Sequence, residues 1–432
     1  MRHEHFRYKT LDDVKAAMAD AGADFPLSDD FSVLKTPYDF ISRRAANRIL
    51  FQPMEGSDSE DDGSPGELTF RRYERYASGG AGILWVEAVS IAHEARASRN
   101  QLYMNAKNLD SFKRLVERAK AACMRENGFE PLLIIQSAHS GRYSKPEGVP
   151  APLIACNNPL FEGDNHIPAD RIMTDDELSA LPDLFGESAR LSAEAGFDGI
   201  DIKACHRYLL NELLCAHTRK GKYGGSFENR IRLLTEAFDA ASAADIMLTT
   251  RLNVYDGFPH PYGFGVNAGG GLEPDLSEPL RLIEILKEKY KIELINITAG
   301  NPYVNPHVTR PFDKGNYVPD EHPFAGVARI TSFAAQVQKS FPDLAVACSG
   351  LSYLRGFADR LAAGMVGSGS AAFAGFGRLA LAYPDFPLDI FNNRSLDDRK
   401  VCLTCGLCSK LLRAGKSSGC VVRDREVYQW TE

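Results

Sequence analysis

The feature of this sequence that most restricts its fold is a repeated alternation of short apolar runs with longer amphipathic stretches. Eight runs rich in β-branched and other apolar residues have the length of strands and lie at residues 48–53, 81–87, 131–136, 198–203, 246–252, 293–298, 344–349 and 365–374. Four stretches between them carry apolar residues at helical spacing, at residues 110–126, 175–195, 227–244 and 279–290. Strands that alternate with helices pair in parallel, and eight such units predict an α/β protein whose sheet closes into a (β/α)8 TIM barrel.

Two segments lie outside the predicted barrel, one at each end. We expect residues 1–46 to form an N-terminal extension that packs on the barrel, residues 47–396 to form the barrel, and residues 397–432 to form a small cysteine-rich segment. Three long connections rich in glycine and proline follow the third, fifth and sixth strands, at residues 137–172, 254–273 and 300–323. Loops of this length are usually functional, and in a barrel they border the carboxyl-terminal mouth.

The composition indicates a soluble globular protein that acts on a small molecule. Charged residues make up 25% of the chain, hydrophobic residues 44%, and the formal net charge is -7, which gives no electrostatic reason to bind nucleic acid or an anionic membrane. No eighteen consecutive apolar residues occur, and the N-terminus lacks the apolar region of a signal peptide, so we expect a cytoplasmic protein. The sequence leaves open whether the chain forms a homo-oligomer.

Polar residues and glycines gather at the carboxyl ends of the predicted strands, where barrel enzymes hold their active sites. The third and fourth strands run into residues 136–142 and 201–208, and Arg251 lies in the fifth strand. Gly350 and Gly377 follow the seventh and eighth strands, and such glycines leave backbone N–H groups free to hold a phosphate. Any one of these residues alone is equally consistent with a surface cap or a plain turn, but their convergence on one face favours a binding site.

Five segments carry motifs in a fixed order along the chain. They are QPMEG at 52–56, QSAHSGR at 136–142, GFDGIDIKACHRYLLNELL at 196–214, TRKGKYGGSFENR at 218–230 and GRLALAYPD at 377–385. Together they resemble the signatures of the Old Yellow Enzyme (NADH:flavin oxidoreductase) family. The resemblance implies a barrel that binds FMN and transfers hydride to an activated carbon–carbon double bond, with NAD(P)H or an external electron carrier as the reductant.

The resemblance also assigns residues to the flavin. It implies contacts to FMN from Pro53, Met54, Glu55, Gln136, Arg251, Ser349, Gly350, Gly377 and Arg378. Within this set, residues 53–55 edge the flavin ring and Gln136 hydrogen-bonds its pyrimidine. A position for Arg251 near N1 suits the chemistry, because reduced flavin is anionic and a permanent guanidinium charge favours that state. The alternative role for Arg251 is a structural ion pair.

The residues after the fourth predicted strand match the family's substrate site. The resemblance implies that Lys203 and His206 hold the activating oxygen of the substrate, which lowers the cost of enolate charge as hydride is transferred. Tyr208 matches the proton donor, and a phenol with a pKa near 10 stays protonated at neutral pH. The alternative for Tyr208 is simple packing under a helix.

Two positions depart from the family pattern. Many ene-reductases have histidine where Lys203 stands, and the amine-dehydrogenase branch has tyrosine, so the substrate class stays open. A lysine suits a carboxylate or thioester oxygen or another anionic substrate group; alternatively it pairs with Asp201 or Glu55 and does not contact the substrate. Gly221 replaces the usual acidic residue before Tyr-Gly-Gly, and Ser226 can cap the helix that follows.

Four of the nine cysteines lie close together near the end of the sequence, as Cys402-x2-Cys405-x2-Cys408-x11-Cys420. Four thiolates at this spacing suit zinc or an iron–sulfur cluster, and free thiols are the alternative. The position of the motif after the last strand is similar to the branch of the family that contains trimethylamine dehydrogenase and 2,4-dienoyl-CoA reductase. That branch carries a [4Fe–4S] cluster beside the flavin, so the similarity favours [4Fe–4S] over zinc.

These assignments lead to expectations about the electron donor and the reaction. No G-x-G-x-x-G unit of a dinucleotide-binding domain follows the cysteine motif, so a cluster implies a separate electron partner such as a ferredoxin, a flavodoxin or a reductase. Otherwise NAD(P)H reduces FMN directly. We expect an FMN-dependent ene-reductase that acts on an α,β-unsaturated carbonyl compound. One alternative is an oxidative amine dehydrogenase or demethylase, which the Lys203 cation disfavours by repelling an ammonium substrate; another is a flavoprotein subunit that only relays electrons.

Overall fold

The computed structural model of the protein describes residues 5–313 and 317–430. Its centre is a parallel β-barrel, which a short antiparallel hairpin precedes. The strands are β1 (Tyr38–Asp39), β2 (Arg44–Ala45), β3 (Ile49–Phe51), β4 (Ile83–Ser90), β5 (Leu132–Ala138), β6 (Gly199–Ile202), β7 (Met247–Thr249), β8 (Arg251–Asn253), β9 (Leu294–Thr298), β10 (Ala345–Cys348) and β11 (Phe373–Phe376). In the barrel the neighbours run β7-β6-β5-β4-β3-β11-β10-β9-β8, and every adjacent pair is parallel.

The nine barrel strands occupy eight positions, because β7 and β8 are consecutive pieces of one strand that is interrupted at Thr250. β7 pairs with β6 on one side, and β8 pairs with β9 on the other. Side chains bridge this seam: Thr250 Oγ1 donates to Ile202 O at 2.7 Å, and Thr249 Oγ1 donates to Leu294 O at 2.6 Å. The predicted (β/α)8 barrel is therefore confirmed.

Helices surround the barrel and connect its strands. They are α1 (Leu11–Asp20), α2 (Glu67–Ser78), α3 (Leu109–Asn127), α4 (Pro159–Glu162), α5 (Asp175–Ser179), α6 (Leu181–Glu194), α7 (Leu209–Leu214), α8 (Phe227–Ala241), α9 (Ser277–Tyr290), α10 (Pro306–Thr309), α11 (Pro323–Ser340), α12 (Ala358–Gly367), α13 (Arg378–Ala382), α14 (Phe386–Phe391) and α15 (Leu407–Arg413). Short 3₁₀ helices lie at Phe31–Lys35, His93–Ala95, Gly141–Tyr143, Ala169–Arg171 and Leu351–Phe357. Within the two described ranges, no helix is both long enough and apolar enough to span a membrane.

Local sequence signals set the ends of the helices that precede and follow β6. Ser226 caps α8, since its side chain accepts a hydrogen bond from the backbone N–H of Asn229. The helix predicted over residues 175–195 is in fact two helices, α5 and α6. Pro182 lies in the first turn of α6, where its missing N–H costs nothing, whereas the same proline inside one continuous helix would break it.

The last strand lies later than the sequence predicts. The prediction for residues 365–374 was wrong over most of its length, because residues 365–367 end α12 and β11 begins only at Phe373. Met365 is buried on a face of the helix. A short buried apolar run does not distinguish a helix end from a strand, which explains the error.

The N-terminal hairpin closes the amino end of the barrel. Phe40 and Ala45 are buried in one apolar cluster with Trp85, Ile134 and Phe373 from the barrel strands. Large side chains therefore fill the barrel interior at this end, as is usual for this fold. Space for a ligand remains at the opposite end, where the strands finish.

The C-terminal segment packs against α2 and the loop after β3. Asp424 pairs with Arg71 at 2.7 Å and with Arg75 at 2.6 Å, and both arginines lie on α2. Ser418 N donates to Gly56 O at 2.7 Å. The cysteine motif is thereby brought beside the carboxyl end of the barrel.

Candidate active site

A large cavity opens at the carboxyl ends of the strands. Its empty volume, with the open mouth included, is about 1110 Å³. The residues that the sequence assigns to flavin and substrate all line it: Pro53, Met54, Glu55, Gln136, Lys203, His206, Tyr208, Arg251, Ser349, Gly350, Gly377 and Arg378. The motifs therefore converge in space, although they are spread from residue 53 to residue 378.

The loop after β3, residues 52–56, is held by a buried charge cluster. Arg72 on α2 forms ion pairs with Asp58 and, at 2.6 Å, with Glu87, and none of these side chains is more than 3% exposed. Glu87 also accepts a hydrogen bond from Gly56 N at 2.6 Å. A Cβ on Gly56 would overlap the Arg72 guanidinium, so this position requires glycine. The cluster fixes the loop that edges the cavity.

Asp201 on β6 orients two of the residues assigned to the flavin. Its carboxylate accepts hydrogen bonds from Gln136 Nε2 at 2.6 Å and from Trp85 Nε1 at 2.8 Å. It also accepts one from the backbone N–H of Arg251 at 2.6 Å. Burial raises the pKa of Asp201, and these three donors oppose that rise. Asp201 was considered from the sequence only as a partner of Lys203, and its role as the anchor of Gln136 and Arg251 was missed.

Arg251 brings an unpaired positive charge to the cavity wall. In the described part of the chain, its guanidinium has no acidic partner within 4.0 Å, and its buried Nε has no hydrogen-bond partner. Burial lowers the pKa of Arg251, and the neighbouring Cys205 and Asp201 oppose this change. An unpaired buried charge costs several kcal/mol. A bound group that carries or accepts negative charge would satisfy this guanidinium.

Two glycines and an arginine form a cradle at the ends of β10 and β11. Gly350 has a φ of +84°, and a Cβ there would lie 2.7 Å from Ile330 Cγ2. A Cβ on Gly377 would lie 2.7 Å from Met54 Sδ. Arg378 follows directly, is only 6% exposed, and has no ion pair within residues 5–313 and 317–430. Both glycines are thus closely packed against neighbouring side chains, and they line the cavity together with the positively charged Arg378.

These features fit FMN. Backbone N–H groups near Gly350 and Gly377, together with Arg378, suit a phosphate, and the unpaired Arg251 suits the pyrimidine end of the ring. Ser349 also lines the cavity, but its hydroxyl donates to Ile297 O at 3.0 Å. The hydroxyl of Ser349 is therefore engaged within the barrel.

Lys203 lies over an aromatic ring. Its Nζ is 3.4 Å from the centroid of the Tyr208 ring, which makes a cation–π contact. The carboxylates of Asp201 and Glu55 both lie more than 4.0 Å from this ammonium. The ion pair that the sequence suggested with one of these two residues is therefore not formed. Burial lowers the pKa of Lys203, and the neighbouring Cys205 and Glu55 oppose the change. The ammonium is thus free to meet a ligand in the cavity.

A left-handed turn presents the side chains that follow β6. His206 and Arg207 have φ values of +63° and +60°, a conformation that needs support from its surroundings. Arg207 supplies it through a buried ion pair with Asp256 at 3.1 Å. His206 Nε2 lies 3.5 Å from Thr298 Oγ1. Burial and the nearby cationic side chains hold the pKa of His206 well below its usual range, so the imidazole is neutral at pH 7.

Three tyrosines come together at the substrate side of the cavity. The hydroxyls of Tyr208 and Tyr303 are 3.3 Å apart, and Tyr303 stacks on Tyr143 with ring centroids 3.9 Å apart. Asn301 Nδ2 donates to the Tyr143 hydroxyl at 2.7 Å. Burial raises the pKa of Tyr208 well above 10, so its phenol is protonated. The sequence assignments missed Tyr143 and Tyr303; the available signal was that both lie in the long loops.

Glu55 is the acidic residue of the cavity lining. Its Oε1 is buried and has no hydrogen-bond partner in the described residues. Burial raises the pKa of Glu55, and the positive charge of Lys203 and the Tyr208 hydroxyl oppose the rise. The carboxyl is therefore protonated more readily than that of an exposed glutamate.

The four cysteines of the C-terminal motif line a second, smaller cavity. Its empty volume is about 340 Å³, and Arg378 shares its wall with Cys402, Cys405, Cys408 and Cys420. Cys408 also lines the large cavity. Backbone N–H groups donate to two of the sulfurs, Thr404 to Cys402 at 3.3 Å and Arg423 to Cys420 at 3.4 Å. Within residues 5–313 and 317–430, no three His, Cys, Asp or Glu side chains are close enough to hold a single metal ion.

Comparison with known proteins decides the family. The sequence profile described as the NADH:flavin oxidoreductase / NADH oxidase family matches residues 34–264, more than half of the chain. The chain belongs to this family. It is therefore an FMN-dependent oxidoreductase of the Old Yellow Enzyme family, as the motifs implied.

The chain is similar in sequence to bacterial NADPH dehydrogenases. The NADPH dehydrogenase of Bacillus pumilus is 30% identical over 275 residues, which cover 62% of this chain and 73% of the relative. That of Clostridium acetobutylicum is 28% identical over 262 residues, which cover 59% of this chain and 70% of the relative. These similarities support NAD(P)H as a reductant within the family.

Solved structures of Old Yellow Enzyme relatives share the fold. The old yellow enzyme homologue from Zymomonas mobilis is 22% identical, with a TM-score of 0.61 over 85% of this chain and 94% of that chain. A 2-naphthoyl-CoA reductase in complex with 2-naphthoyl-CoA is 19% identical, with a TM-score of 0.71 over 91% of this chain. The present chain spans 57% of that longer protein. At these identities the similarity establishes the barrel architecture.

Proposed function

We propose that the protein is an ene-reductase that reduces the carbon–carbon double bond of an α,β-unsaturated carbonyl compound. The observation that carries the proposal is one cavity whose lining combines a protonated Tyr208, two potential oxygen ligands in Lys203 and His206, and a wall suited to FMN. When bound and reduced by NAD(P)H, FMN supplies hydride to the substrate. The other steps fall to the side chains of the chain.

In this proposal, residues from distant parts of the sequence hold the cofactor. Gly350, Gly377 and Arg378 receive the phosphate, since they combine glycine backbone with an unpaired guanidinium. Gln136 and Arg251, both anchored by hydrogen bonds to Asp201, bind the pyrimidine end of the ring. The rigid loop at 52–56 borders the ring edge.

Lys203 and His206 bind the activating oxygen of the substrate. Negative charge develops on this oxygen as the β-carbon accepts hydride, and preorganised donors in a buried site stabilise that charge strongly. Lys203 contributes the N–H donors of its Nζ, and the neutral His206 contributes a ring N–H. Because Lys203 is buried and His206 is partly buried, little reorganisation is needed when the charge forms.

Tyr208 delivers the proton to the α-carbon. Its hydroxyl is protonated at neutral pH, and the ammonium of Lys203 over its ring stabilises the phenolate that remains after the transfer. The hydroxyl of Tyr303, 3.3 Å from that of Tyr208, offers a route by which the proton is replaced. The pair therefore allows repeated turnover.

Replacement of Tyr208 by phenylalanine tests this assignment. We expect Tyr208→Phe to lower kcat for reduction of 2-cyclohexenone by about 10²–10⁴-fold, because proton transfer loses its donor. Bleaching of the flavin by NADPH, followed by stopped flow, is expected to keep its wild-type rate. Tyr290→Phe, which removes a hydroxyl that donates to Thr235 O on the outer helices, serves as the matched control. Alkene reduction at the wild-type rate by Tyr208→Phe would contradict the role of Tyr208.

An oxidative amine dehydrogenase is the second candidate, because Tyr208 and Tyr303 line one side of the cavity and aromatic rings bind ammonium groups. In this chain the Lys203 ammonium already covers the Tyr208 ring. Arg251 adds a second positive charge to the same cavity wall. A cationic substrate would be repelled by both, so the charges favour carbonyl reduction.

The C-terminal motif is proposed to hold a [4Fe–4S] cluster through Cys402, Cys405, Cys408 and Cys420. The supporting observation is that the four cysteines surround a common space, whereas a single zinc ion requires ligands that converge on one point. Cys408 also borders the large cavity, so a group in the smaller one adjoins the proposed flavin site. Electrons from a ferredoxin, a flavodoxin or a partner reductase would then enter through this segment.

Metal analysis of anaerobically purified protein tests the cluster. We expect about four irons and four acid-labile sulfides per chain. Cys405→Ser is expected to abolish iron binding, and Cys123→Ser, which alters a buried thiol on α3, is the matched control. Stoichiometric zinc, or no metal in the wild-type protein, would contradict the proposal. Rates of flavin reduction by NADPH and by reduced ferredoxin, measured side by side, identify the electron donor.

A further inference from the structure

The large cavity carries more positive charge than FMN needs. Glu55 is the single acidic side chain of the lining that the structure describes, whereas five cationic side chains line the cavity. The five are Lys203, Arg251, Arg310, Arg378 and Arg413. None of the five has an acidic partner within 4.0 Å among the residues that the structure describes. An accumulation of unpaired positive charge in a cavity indicates a ligand with several negative charges.

FMN accounts for part of this charge. Its phosphate carries close to two negative charges at neutral pH, and the proposed cradle with Arg378 receives it. Arg251 is assigned to the pyrimidine end of the ring, and Lys203 is assigned to the reacting oxygen. Arg310 and Arg413 have no assigned role toward FMN, and Cys408 is the one proposed cluster ligand that lines the large cavity with them.

Arg310 follows α10 in the long loop after β9, and no acidic side chain that the structure describes lies within 4.0 Å of its guanidinium. Its guanidinium makes no hydrogen bond within residues 5–313 and 317–430. Burial, Arg378 and Arg413 lower the pKa of Arg310 to about 10, whereas the nearby Cys408 opposes this change. The side chain therefore remains positive at neutral pH, although its surroundings oppose the charge.

Arg413 lies at the end of α15 and reaches the same cavity from the C-terminal segment. Its Nη2 donates to Pro302 O at 3.0 Å. Pro302 precedes Tyr303, whose hydroxyl is 3.3 Å from that of Tyr208. Arg413 therefore adjoins the substrate side of the cavity, and Arg310 lies close enough to His206 and Tyr303 to lower the pKa of both.

We propose that Arg310 and Arg413 form a subsite for an anionic group, a carboxylate or a phosphate, that the substrate carries away from its reacting double bond. The inference rests on the proposed ene-reductase function and narrows its substrate to a negatively charged unsaturated compound. Guanidinium groups suit both anions, because their planar donors match the oxygens of carboxylate and phosphate. The C-terminal segment thus takes part in substrate selection through Arg413.

The test compares three alkenes on the FMN-loaded full chain. They are 4-phenylbut-3-en-2-one with a para carboxylate, a para phosphate or a neutral para carboxamide. We expect kcat/KM for the charged alkenes to exceed that for the carboxamide by about 10–100-fold, the range of a charge-assisted contact. The ratio is expected to fall towards one in Arg310→Gln and in Arg413→Gln. Arg281→Gln, which alters an exposed ion pair with Glu228 on the outer helices, is the control that keeps the ratio.

Several outcomes would overturn the subsite. Equal kcat/KM for charged and neutral alkenes in the wild-type protein is one. Loss of FMN from Arg310→Gln with an unchanged ratio is another, because it assigns the guanidinium to the cofactor phosphate. The relative rates of the carboxylate and the phosphate identify which anion the subsite takes.

If the wild-type protein reduces none of the three alkenes, the ene-reductase proposal fails and the subsite is judged by binding alone. The oxidised, FMN-loaded protein is then titrated with benzoate, phenyl phosphate and benzamide, and the flavin absorbance is followed. Binding of the anions but not of benzamide, lost in Arg310→Gln, supports the subsite. Binding without this selectivity, or no binding, overturns it.

Discussion

Removal of Arg72 is expected to destabilise the fold at the loop of residues 52–56, which borders the proposed flavin site and is called the flavin loop below. Arg72 pairs with Asp58 and Glu87, and all three side chains are at most 3% exposed. In Arg72→Met, two buried carboxylates lose their shared cation, which costs about 3–5 kcal/mol. An unfolding entropy of about 2.1 cal/mol/K per residue gives roughly 0.9 kcal/mol/K for 432 residues. The expected fall in Tm is therefore roughly 3–6 °C.

The loss from Arg72→Met also has a defined pH dependence. Burial raises the pKa of Glu87 to about 7 even with Arg72 present, and removal of Arg72 raises it further. A carboxyl with a raised folded pKa destabilises the protein increasingly as the pH rises from its unfolded pKa to its folded pKa. The Glu87 penalty therefore stops growing near pH 7 in the wild type but continues to grow above pH 7 in the variant. The difference in Tm between variant and wild type is thus larger at pH 8 than at pH 5.

Calorimetry of Arg72→Met beside an exposed counterpart tests both expectations. Arg190→Met is the matched control, since Arg190 pairs with Glu187 at 2.7 Å and Glu194 at 3.0 Å while remaining 54% exposed. Exposed pairs contribute about 0–1 kcal/mol, so this control is expected to move Tm by about 1 °C or less. Equal shifts in the two variants, or a shift for Arg72→Met that does not change between pH 5 and pH 8, would refute the reasoning.

Two further predictions concern the barrel mouth. Burial lowers the pKa of His139 to about 4, so the stability that the neutral imidazole contributes is complete above pH 6.5 and falls by about 3 kcal/mol as the pH drops to about 4. His139→Asn, which keeps an acceptor for Gly141 N, is expected to make Tm nearly independent of pH over this range. A Tm that depends on pH as steeply as in the wild type would contradict this expectation. Gly350→Ala is expected to weaken FMN binding by about 5–30-fold in equilibrium dialysis, because its Cβ would lie 2.7 Å from Ile330. Gly148→Ala, at a φ of +81° with open space around it, is the control, and equal FMN affinity in the two variants would count against the cradle.

The sequence was sufficient to predict the barrel and most of its mouth. Periodicity identifies strands because side chains buried on both faces leave continuous apolar runs, and β3 and β9 fall within the predicted segments. Residues that directly follow such strands must meet at one end of a parallel barrel, whatever the loops do. For this reason Gln136, Lys203 and Arg378 could be assigned to one cavity from their positions alone.

The parts that could not be predicted depend on the paths of loops and on local geometry. Tyr303 and Arg310 lie in a loop whose course no periodicity determines, yet both line the cavity. Arg413 belongs to the C-terminal segment, whose docking depends on distant pairs such as that between Asp424 and Arg71. The fifth strand is likewise interrupted at Thr250, where its side chain bonds to Ile202 O across the seam of the barrel, and the pattern of apolar residues does not predict this interruption. Contacts between residues far apart in the sequence therefore decide what the motifs leave open.

Under the two proposals, the docking of the C-terminal segment would connect electron supply with substrate choice. The segment is fastened to α2 by Asp424 and to the flavin loop by Ser418, and it contributes both Cys408 and Arg413 to the cavity wall. A shift of this segment would move the proposed cluster ligand and the proposed anion subsite together. Loosening its anchor, as in Arg75→Gln, is therefore expected to impair selection of charged substrates and electron entry in parallel. If the two properties respond independently to Arg75→Gln, the segment does not act as one rigid wall.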